Sequence, residues 1–318
     1  MAAYLVTGGA GFIGSHLVDR LLELGRAVRV LDDFSTGRRE NLVHVRDRVE
    51  LLEGSVCDLQ TCRAACRDVE AVLHQAALPS VPRSMADPLT THRVNADGTF
   101  NMLLAAREAG VRRFVYASSS SVYGETQELP QRETMPLRPV SPYGASKAVG
   151  EIYCHSFSCS FGLQTVALRY FNVFGPRQDP TSEYSAAIPR FLSRLLRGQP
   201  PVVFGDGEQS RDFIYVGNVV EANLLAVQAC LSDGRTCELR GQAVNVAAGR
   251  AITLNEVIAV MNELLGTAIK ARYDAPRPGD VRHSLADVSA ARRLIGFQPR
   301  VSFRDGLAMA LEWYRKNL

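Results

Sequence analysis

Short apolar runs alternate along the chain with longer segments in which apolar residues recur at helical spacing. Seven runs have the length and composition of strands; one ends just before Gly8, and the others lie at 27–32, 49–53, 69–74, 113–117, 163–169 and 243–247. Segments 13–24, 94–109 and 143–161 have the spacing of helices, and glycines close the first two. Strands separated by helices favour a parallel sheet. The pattern therefore predicts an α/β protein with a doubly wound parallel sheet of about seven strands.

Two stretches of the chain depart from this regular alternation. Prolines break them into short pieces, at Pro176, Pro180, Pro189, Pro200, Pro201, Pro276 and Pro278. We therefore expect a larger domain formed by 1–171 and 213–248, and a smaller mixed α/β lobe formed by 172–212 and 249–318.

Charge and hydropathy exclude several classes of protein. The chain has 318 residues, with 36 basic and 33 acidic side chains and a net charge of +3, and the basic residues are dispersed. This distribution argues against a nucleic-acid surface. The amino terminus enters its first strand without a signal-type segment, and no apolar run approaches the roughly 20 residues of a membrane span. We expect a soluble cytoplasmic protein that does not bind membranes.

The cysteines give no sign of a metal site. There are seven, an odd number that forms no disulfide framework, and Cys57, Cys62 and Cys66 lack the paired spacing of zinc ligands. Reduced thiols are expected, and no metal is implied.

A glycine-rich turn follows the first strand. Gly8, Gly11 and Gly14 have the spacing Gly-x-x-Gly-x-x-Gly and open the first helix. Gly8 suits a tight turn, Gly11 lets the backbone approach a pyrophosphate, and Gly14 lets the helix pack close to the strand. A glycine turn alone is often only a turn, but the strand–turn–helix context indicates a dinucleotide site.

Asp32 ends the second strand, where a carboxylate can accept hydrogen bonds from the adenosine ribose. A carboxylate there repels a 2′-phosphate, so NAD is expected rather than NADP. Arg38 and Arg39 complicate this expectation, because they could reach a 2′-phosphate if the loop folded back.

Tyr143 and Lys147 are four residues apart at the start of a predicted helix and share one face of it. A tyrosine with a pKa of about 10 is a poor base at neutral pH, whereas a neighbouring ammonium favours the phenolate. The pair therefore indicates a general base. A surface Tyr–Lys pair without a catalytic role is the alternative.

At this point the chain resembles the extended short-chain dehydrogenase/reductases, and within them the nucleotide-sugar 4-epimerases. Besides the glycine turn and the Tyr143/Lys147 pair, the resemblance rests on the segments 73–77, 117–124, 168–176, 205–213 and 277–280. It covers nearly the whole chain. It implies a Rossmann-like larger domain that binds NAD, a smaller lobe that binds a UDP-sugar, a homodimer, and a role in polysaccharide biosynthesis.

The family's cofactor positions fall on a defined set of residues here. They are Gly8, Gly11, Phe12, Ile13, Asp32, Asp33, Ser35, Gly37, Ser55, Val56, Gln75, Ala76, Ala77, Tyr143, Lys147 and Tyr170. Ser55 replaces the family's usual aspartate, so we expect a weaker contact to the adenine amine.

The resemblance also assigns substrate positions. Ser119 falls where the family keeps a catalytic hydroxyl that bonds the sugar O4. The set of substrate contacts is Ser80, Ser118, Ser119, Ser120, Tyr143, Asn172, Ile188, Val203, Phe204, Arg211, Arg277, Asp280 and Ser284. Asn172, Arg211, Arg277 and Asp280 match diphosphate and ribose contacts, and Val203 and Phe204 match the uracil site.

Ser284 stands where relatives restricted to plain hexoses carry a tyrosine against the sugar 2-substituent. A serine there leaves room for an acetamido group. The segment 80–84 also resembles the branch that acts on UDP-N-acetylglucosamine. Arg83 within it could meet a uronate carboxylate or merely a phosphate.

The expected reaction is reversible C4 epimerisation of UDP-N-acetylglucosamine, and also of UDP-glucose, through a 4-keto sugar. Alternatives within the enzyme class are a UDP-glucuronate 4-epimerase and a dehydratase or decarboxylase that uses the same ketone. Ser120 and Ser121 stand where those eliminating relatives carry carboxylates, which favours epimerisation. An alternative of another class is a non-catalytic dinucleotide-sensing protein.

The helices at 94–109 and 143–161 resemble the pair that forms the family's dimer interface. Leu103, Leu104, Ile152 and Phe157 fit such an interface or packing against the sheet equally well.

Overall fold

The computed structural model describes residues 3–180, 186–229, 239–276 and 282–318. Its strands are β1 (Ala3–Thr7), β2 (Val28–Asp32), β3 (Val49–Glu53), β4 (Val69–His74), β5 (Arg113–Ser119), β6 (Gln164–Tyr170), β7 (Val173–Phe174), β8 (Val202–Phe204), β9 (Ser210–Asp212), β10 (Ile214–Tyr215), β11 (Gln242–Val246), β12 (Ala251–Thr253) and β13 (Arg272–Asp274).

The helices alternate with these strands through the first half of the chain and dominate the last part. They are α1 (Phe12–Glu23), α2 (Leu59–Ala65), α3 (Val81–Ala86), α4 (Pro88–His92), α5 (Gly98–Glu108), α6 (Pro142–Phe161), α7 (Ala187–Leu196), α8 (Val216–Gln228), α9 (Leu254–Leu265), α10 (Ser289–Ile295) and α11 (Phe303–Asn317). A π-helical turn, Arg93–Asp97, leads into α5.

The central sheet has seven parallel strands in the order β11-β6-β5-β4-β1-β2-β3. The predicted doubly wound sheet is confirmed, and each predicted strand is present. The fifth strand runs two residues further than expected, because Ser118 and Ser119 continue the ladder opposite Arg169 and Tyr170. The chain reverses its direction across the sheet between β1 and β4, and such a reversal opens a crevice at the carboxyl ends of the strands.

Apolar side chains cover both faces of this sheet. One face packs against α1, α8 and α10, and the other packs against α2, α5 and α6. Leu5 and Leu31 point to the second face while Val6 and Val30 point to the first, as the alternation of side chains along a strand requires.

A separate apolar cluster lies outside the sheet. It joins α7, α9 and α11 with β8, and includes Phe191, Val203, Val257 and Leu311. Short two-stranded ladders accompany it: β9 pairs with β12, and β8 pairs with β13. This second cluster draws on residues both before and after the last strand of the sheet.

None of the helices within 3–180, 186–229, 239–276 and 282–318 combines the length and the apolar character that a bilayer span demands.

Candidate active site

The turn between β1 and α1 has the backbone geometry that the glycine spacing predicts. Gly8 adopts φ +65°, and a Cβ at this position would lie 2.8 Å from the backbone nitrogen of Ala76. A Cβ at Gly14 would collide with the carbonyl oxygen of Gly8. A Cβ is therefore excluded at Gly8 and Gly14, and the amino end of α1 can offer its backbone N–H groups to a phosphate.

A cavity of about 660 Å³ lies at the carboxyl ends of β1, β2, β4 and β5. Most of the predicted cofactor residues line it: Gly8, Gly11, Phe12, Ile13, Asp32, Asp33, Ser35, Gly37, Val56, Gln75, Ala76, Ala77, Tyr143, Lys147 and Tyr170. Ser80 and Ser118, from the predicted substrate set, line it as well. The size and the position are those of a nucleotide site at the switch point of an α/β sheet.

Asp32 is buried at the edge of this cavity. Its carboxylate accepts hydrogen bonds from the backbone N–H groups of Ala10 and Phe34, both at 2.8 Å. Burial raises the pKa of Asp32, and these two hydrogen bonds oppose that effect. The carboxylate is thus held in one orientation beside the glycine turn, where a ribose is expected.

The two arginines after β2 are both engaged by carboxylates. Arg38 Nη2 lies 2.6 Å from Asp179 Oδ2, and Arg39 Nη2 lies 2.6 Å from Glu53 Oε1. The Arg39 guanidinium also stacks on the Phe34 ring. Arg38 lines the cavity, but both arginines are paired with carboxylates of the chain, which agrees with NAD.

Ser55 is the predicted cofactor residue that does not line the cavity. Its hydroxyl accepts a hydrogen bond from the backbone N–H of Cys57, at 3.3 Å. The neighbouring Val56 is buried and lines the cavity instead. The contact of Ser55 with adenine stays a prediction.

Tyr143, Lys147 and Ser119 come together where α6 crosses the end of β5. The side chains of Ser119 and Tyr143 share a hydrogen bond. Lys147 Nζ lies 6.0 Å from the centre of the Tyr143 ring and donates to the carbonyl oxygen of Ala117 at 2.8 Å. Ser141 caps the amino end of α6 by accepting from the N–H of Gly144, which orients the helix that carries this pair.

The electrostatics of the pair differ from the sequence expectation in one respect. Burial raises the pKa of Tyr143, and its hydrogen bond with Ser119 opposes that effect. Burial lowers the pKa of Lys147 to about 7, while the negative charge of Glu151 opposes the shift. Desolvation of the phenol therefore outweighs the help that a nearby ammonium gives the phenolate. The sequence reasoning omitted this cost, because the helical spacing does not show the depth of burial.

Tyr170 lines the cavity and is hydrogen-bonded to two amide side chains. Its hydroxyl accepts from Asn223 Nδ2 at 2.8 Å and donates to Gln75 Oε1 at 3.2 Å. The Gln75 amide also donates to Asn223 Oδ1 at 3.1 Å. Sequence reasoning missed Asn223, which lies on α8 far along the chain.

The predicted substrate residues of the smaller lobe are tied to one another through the backbone of β9. Asn172 Nδ2 donates to the Asp212 carbonyl at 3.2 Å, and Arg211 Nη1 donates to the Ser210 carbonyl at 2.9 Å. The N–H of Ser284 donates to that same Ser210 carbonyl at 3.1 Å. These three residues, which are distant in sequence, therefore meet around one short strand.

Other predicted substrate residues have different surroundings. Ile188 and Val203 are buried in the apolar cluster of the smaller lobe, and Phe204 is half-buried beside Arg190. Ser120 is half-buried at the start of a 3₁₀ turn after β5. Arg277 and Asp280 lie outside the residues that the structure describes.

Ser80 adopts φ +122°, which is unusual for a residue with a side chain. Its hydroxyl caps α3 by accepting from the N–H of Arg83 at 3.2 Å. Ser80 and Arg83 both line the cavity. The strained backbone position therefore lies at the wall of the site.

The cavity also includes residues that sequence reasoning passed over. Arg177, Gln178 and Asp179 line it, and Arg177 Nη2 is held by Asp19 Oδ2 at 2.7 Å. They follow the matched segment 168–176 directly, which was the available signal. Elsewhere in the described ranges, His, Cys, Asp and Glu side chains do not gather in threes as metal ligands would.

Comparisons with known proteins agree with this geometry. A family model described as the NAD dependent epimerase/dehydratase family matches residues 4–247. A UDP-glucose 4-epimerase from Mycolicibacterium smegmatis is 39% identical to the chain over 317 residues, which are 98% of each protein.

Solved structures are similar over the same length. A UDP-N-acetylglucosamine 4-epimerase from Methanobrevibacter ruminantium, in complex with UDP-N-acetylmuramic acid, is 39% identical with a TM-score of 0.92, covering 100% of this chain and 99% of that one. A UDP-glucose 4-epimerase from Thermus thermophilus, in complex with NAD, is 38% identical with a TM-score of 0.88, covering 99% and 100%.

Proposed function

Because the chain belongs to the NAD-dependent epimerase/dehydratase family, we propose that it inverts C4 of UDP-hexoses, with UDP-N-acetylglucosamine and UDP-N-acetylgalactosamine as its principal pair. UDP-glucose and UDP-galactose form the second pair. The observation that carries this proposal is that Ser119 meets Tyr143, and that Tyr143 and Lys147 both line the dinucleotide cavity.

The residues around the cavity fit NAD. The turn at Gly8 excludes a Cβ, and Asp32 is buried beside it with its carboxylate fixed by two backbone N–H groups. The chemistry that bound NAD supplies is acceptance of a hydride from C4 and its return to the opposite face of the sugar. No net oxidation results.

Tyr143 is placed to hold the proton that moves. Its phenolic oxygen takes the proton of the sugar 4-hydroxyl, directly or through the Ser119 hydroxyl to which it is bonded. The Lys147 ammonium stabilises the phenolate that this transfer requires. Ser119, Tyr143 and Lys147 are intact and assembled, which weighs against a protein that only senses a dinucleotide.

Room for an acetamido group supports the acetylated substrate. Ser284 is buried, and its backbone is held against Ser210 beside the predicted diphosphate residue Arg211. The resemblance places a tyrosine at this position in relatives restricted to plain hexoses, and a serine is smaller. The choice of UDP-N-acetylglucosamine rests on that difference in side-chain size.

The hydroxyls beside Ser119 support epimerisation over elimination. Ser121 Oγ donates to Ser119 Oγ at 3.0 Å, and Ser120 precedes it in the same turn. Hydroxyls at these two positions supply no carboxylate to remove a proton from C5.

Three substrates test the proposal in one experiment. Purified holoenzyme is incubated separately with UDP-N-acetylglucosamine, UDP-glucose and UDP-glucuronate, and the C4 epimers are separated by chromatography. We expect C4 epimers from the first two. A 4-keto-6-deoxy product, a pentose product, or inversion of the uronate alone would assign the site to one of the alternative reactions.

The two apolar cores of the chain support separate binding sites for the cofactor and for the UDP-sugar. The sheet, from 1–171 and 213–248, would bind NAD, and the apolar cluster of α7, α9 and α11 would form the core of the UDP-sugar lobe at 172–212 and 249–318. Within the second lobe segment, Ala291, Ile295 and Phe297 pack instead with the sheet.

A homodimer through α5 and α6 is supported by the exposed apolar side chains there. Ile152 is 60% exposed and Phe161 50% exposed, whereas Leu103 and Phe157 are buried against the sheet. The partly buried Leu104 packs with the same core cluster as Leu103 and Phe157. Of the four residues that fitted either an interface or the sheet, Ile152 is exposed, and the other three pack in the core cluster.

Ile152→Asp tests this interface. The variant should lower the mass in dilute-solution scattering from two chains to one, because a carboxylate would be buried at the interface. Val43→Asp, which changes a 68% exposed residue on another face, is the control. A wild-type mass of one chain contradicts the dimer.

A reducing cytoplasmic location is supported by the cysteines. Cys57, Cys62, Cys66, Cys154 and Cys159 are free thiols, and burial raises the pKa of Cys62 and Cys66 to about 12. Unpaired thiols of this kind are typical of reducing compartments.

A further inference from the structure

A buried ion pair lies directly behind the candidate catalytic residues. Glu151 is one helical turn beyond Lys147 on α6, and its side chain is 7% exposed; that of Arg169 on β6 is 5% exposed. Arg169 Nε donates to Glu151 Oε1 at 2.9 Å, and Nη2 donates to Oε2 at 2.7 Å. This is a bidentate pair with little access to water.

The same carboxylate also binds the strand that carries Ser119. The Ser118 hydroxyl donates to Glu151 Oε1. Ser118 directly precedes Ser119, so this hydrogen bond fixes the end of β5 against α6, the helix that also carries Tyr143. The position of Ser119 beside Tyr143 thus depends on the anchoring of its neighbour.

The third nitrogen of the guanidinium, Nη1, makes a hydrogen bond on the far side of the pair. Arg169 Nη1 donates to the Tyr123 hydroxyl at 2.8 Å, and Tyr123 donates to Asn245 Oδ1 at 2.6 Å. Glu151 therefore connects the end of β5 with β6, with the turn after β5 and with β11. Such a fully bonded buried network holds its members in one arrangement.

Several charged or titratable groups surround Lys147, and Glu151 is the one that carries a carboxylate. The others are Tyr143 and Cys154 on α6, Tyr116 on β5 and the neutral His74 on β4. Burial lowers the pKa of Lys147 to about 7, and the negative charge of Glu151 opposes this shift. Removing that charge would therefore leave less ammonium at neutral pH.

We infer that Glu151 is a positioning residue of the reaction: it anchors the end of β5 so that Ser119 faces Tyr143, and it keeps a negative charge beside Lys147. This inference rests on the proposed epimerase function. Glu151 does not touch the substrate in this role and acts through Ser118 and Lys147.

Glu151→Gln in the full-length holoenzyme tests both parts. We expect kcat to fall at least ~10-fold with KM for the UDP-sugar little changed, because the misplaced groups act in the chemical step. The basic limb of the pH profile should move to lower pH, since Lys147 would lose its proton more easily. Glu263→Gln breaks a bidentate pair with Arg304 far from the site and is the matched control, expected to keep wild-type kinetics.

Loss of one partner of a buried pair can unfold a protein, so a second variant separates stability from position. Glu151→Leu combined with Arg169→Met replaces the pair with apolar side chains of similar volume, a change that is often neutral for stability. We expect normal melting and NAD content, but the same fall in kcat and the same shift of the basic limb. Recovery of wild-type kcat and pH profile would show that the pair is only structural.

Ser118→Ala removes a single hydrogen bond and gives the third measurement. Anchoring through Glu151 predicts a lower kcat at unchanged KM, whereas a direct substrate contact of Ser118 would raise KM. An unchanged kcat would overturn the anchoring. Absence of epimerisation by the wild-type enzyme would instead count against the proposed function.

Discussion

The cofactor side of the site and the proposed substrate side are built in different ways. On the cofactor side, the chain turns at the ends of β1, β2 and β4, and the backbone itself shapes the cavity around Gly8 and Asp32. On the substrate side, Asn172, Arg211 and Ser284 come from separate segments that meet around β9. A local turn needs the right residues at a few adjacent positions, whereas a meeting of distant segments needs the whole lobe to fold.

The largest effect is expected from removing the Tyr143 hydroxyl, which is predicted to contact both the cofactor and the substrate. Tyr143→Phe should lower turnover at least ~100-fold, because the general base is lost while the ring and its packing remain. NAD content and UDP-sugar binding should stay near wild type, as judged by nucleotide extraction and calorimetry. A variant with most of the wild-type turnover would remove Tyr143 from the mechanism.

Ser284→Tyr addresses the substrate side alone. The added ring should fill the space for the acetamido group, and turnover of UDP-N-acetylglucosamine should fall about 100-fold while UDP-glucose is spared. Ser284→Ala, which adds no volume, should keep both activities. Equal losses on the two substrates would show that position 284 does not set the size limit.

Gly8→Ala addresses the cofactor side alone. The positive φ and the proximity of Ala76 should weaken NAD binding at least ~10-fold, since the strain in this backbone region alone amounts to about 1–2 kcal/mol. Gly25→Ala is a matched control, with φ +69° and open space around its Cβ. It should lose stability but keep its affinity for NAD, measured by titration of the apoenzyme.

The smallest effect concerns pH and stability below the cavity. His74 bonds Thr7 at 2.7 Å and Thr99 at 3.1 Å, and burial, aided by the charge of Lys147, lowers its pKa to about 3. The folded state thus keeps His74 neutral where the unfolded chain binds a proton. Stability should fall as the pH drops below about 6.5, the ordinary histidine value.

The slope of that fall identifies the residue. His74→Gln should reduce it by about 1.4 kcal/mol per pH unit between pH 6 and 4, measured by denaturant unfolding. The overall stability of the variant also changes, because it loses hydrogen bonds, but the slope isolates the proton. A slope equal to that of the wild type would mean that His74 is charged in the folded protein.

The contrast between the two sides also explains what could be predicted from the sequence. The sheet, the glycine turn, Asp32 and the Tyr143/Lys147 pair follow from spacing along one stretch of chain, and the structure brings them together. Asn223 and Arg169 gave no such signal, because their partners Gln75 and Glu151 are brought to them only by tertiary packing. The cost of burying Tyr143 was likewise invisible in a pattern that shows direction but not depth.

The hydrogen bonds to the carbonyl groups of β9 have a consequence for how related sequences can vary. Asn172, Arg211 and Ser284 hold on to the carbonyl groups of β9 rather than to its side chains. Since a carbonyl is present whatever the residue, substitutions at Ser210 and Asp212 leave both acceptor carbonyls in place. The side chains at those two positions can therefore vary among related sequences while the proposed substrate residues keep their relative positions.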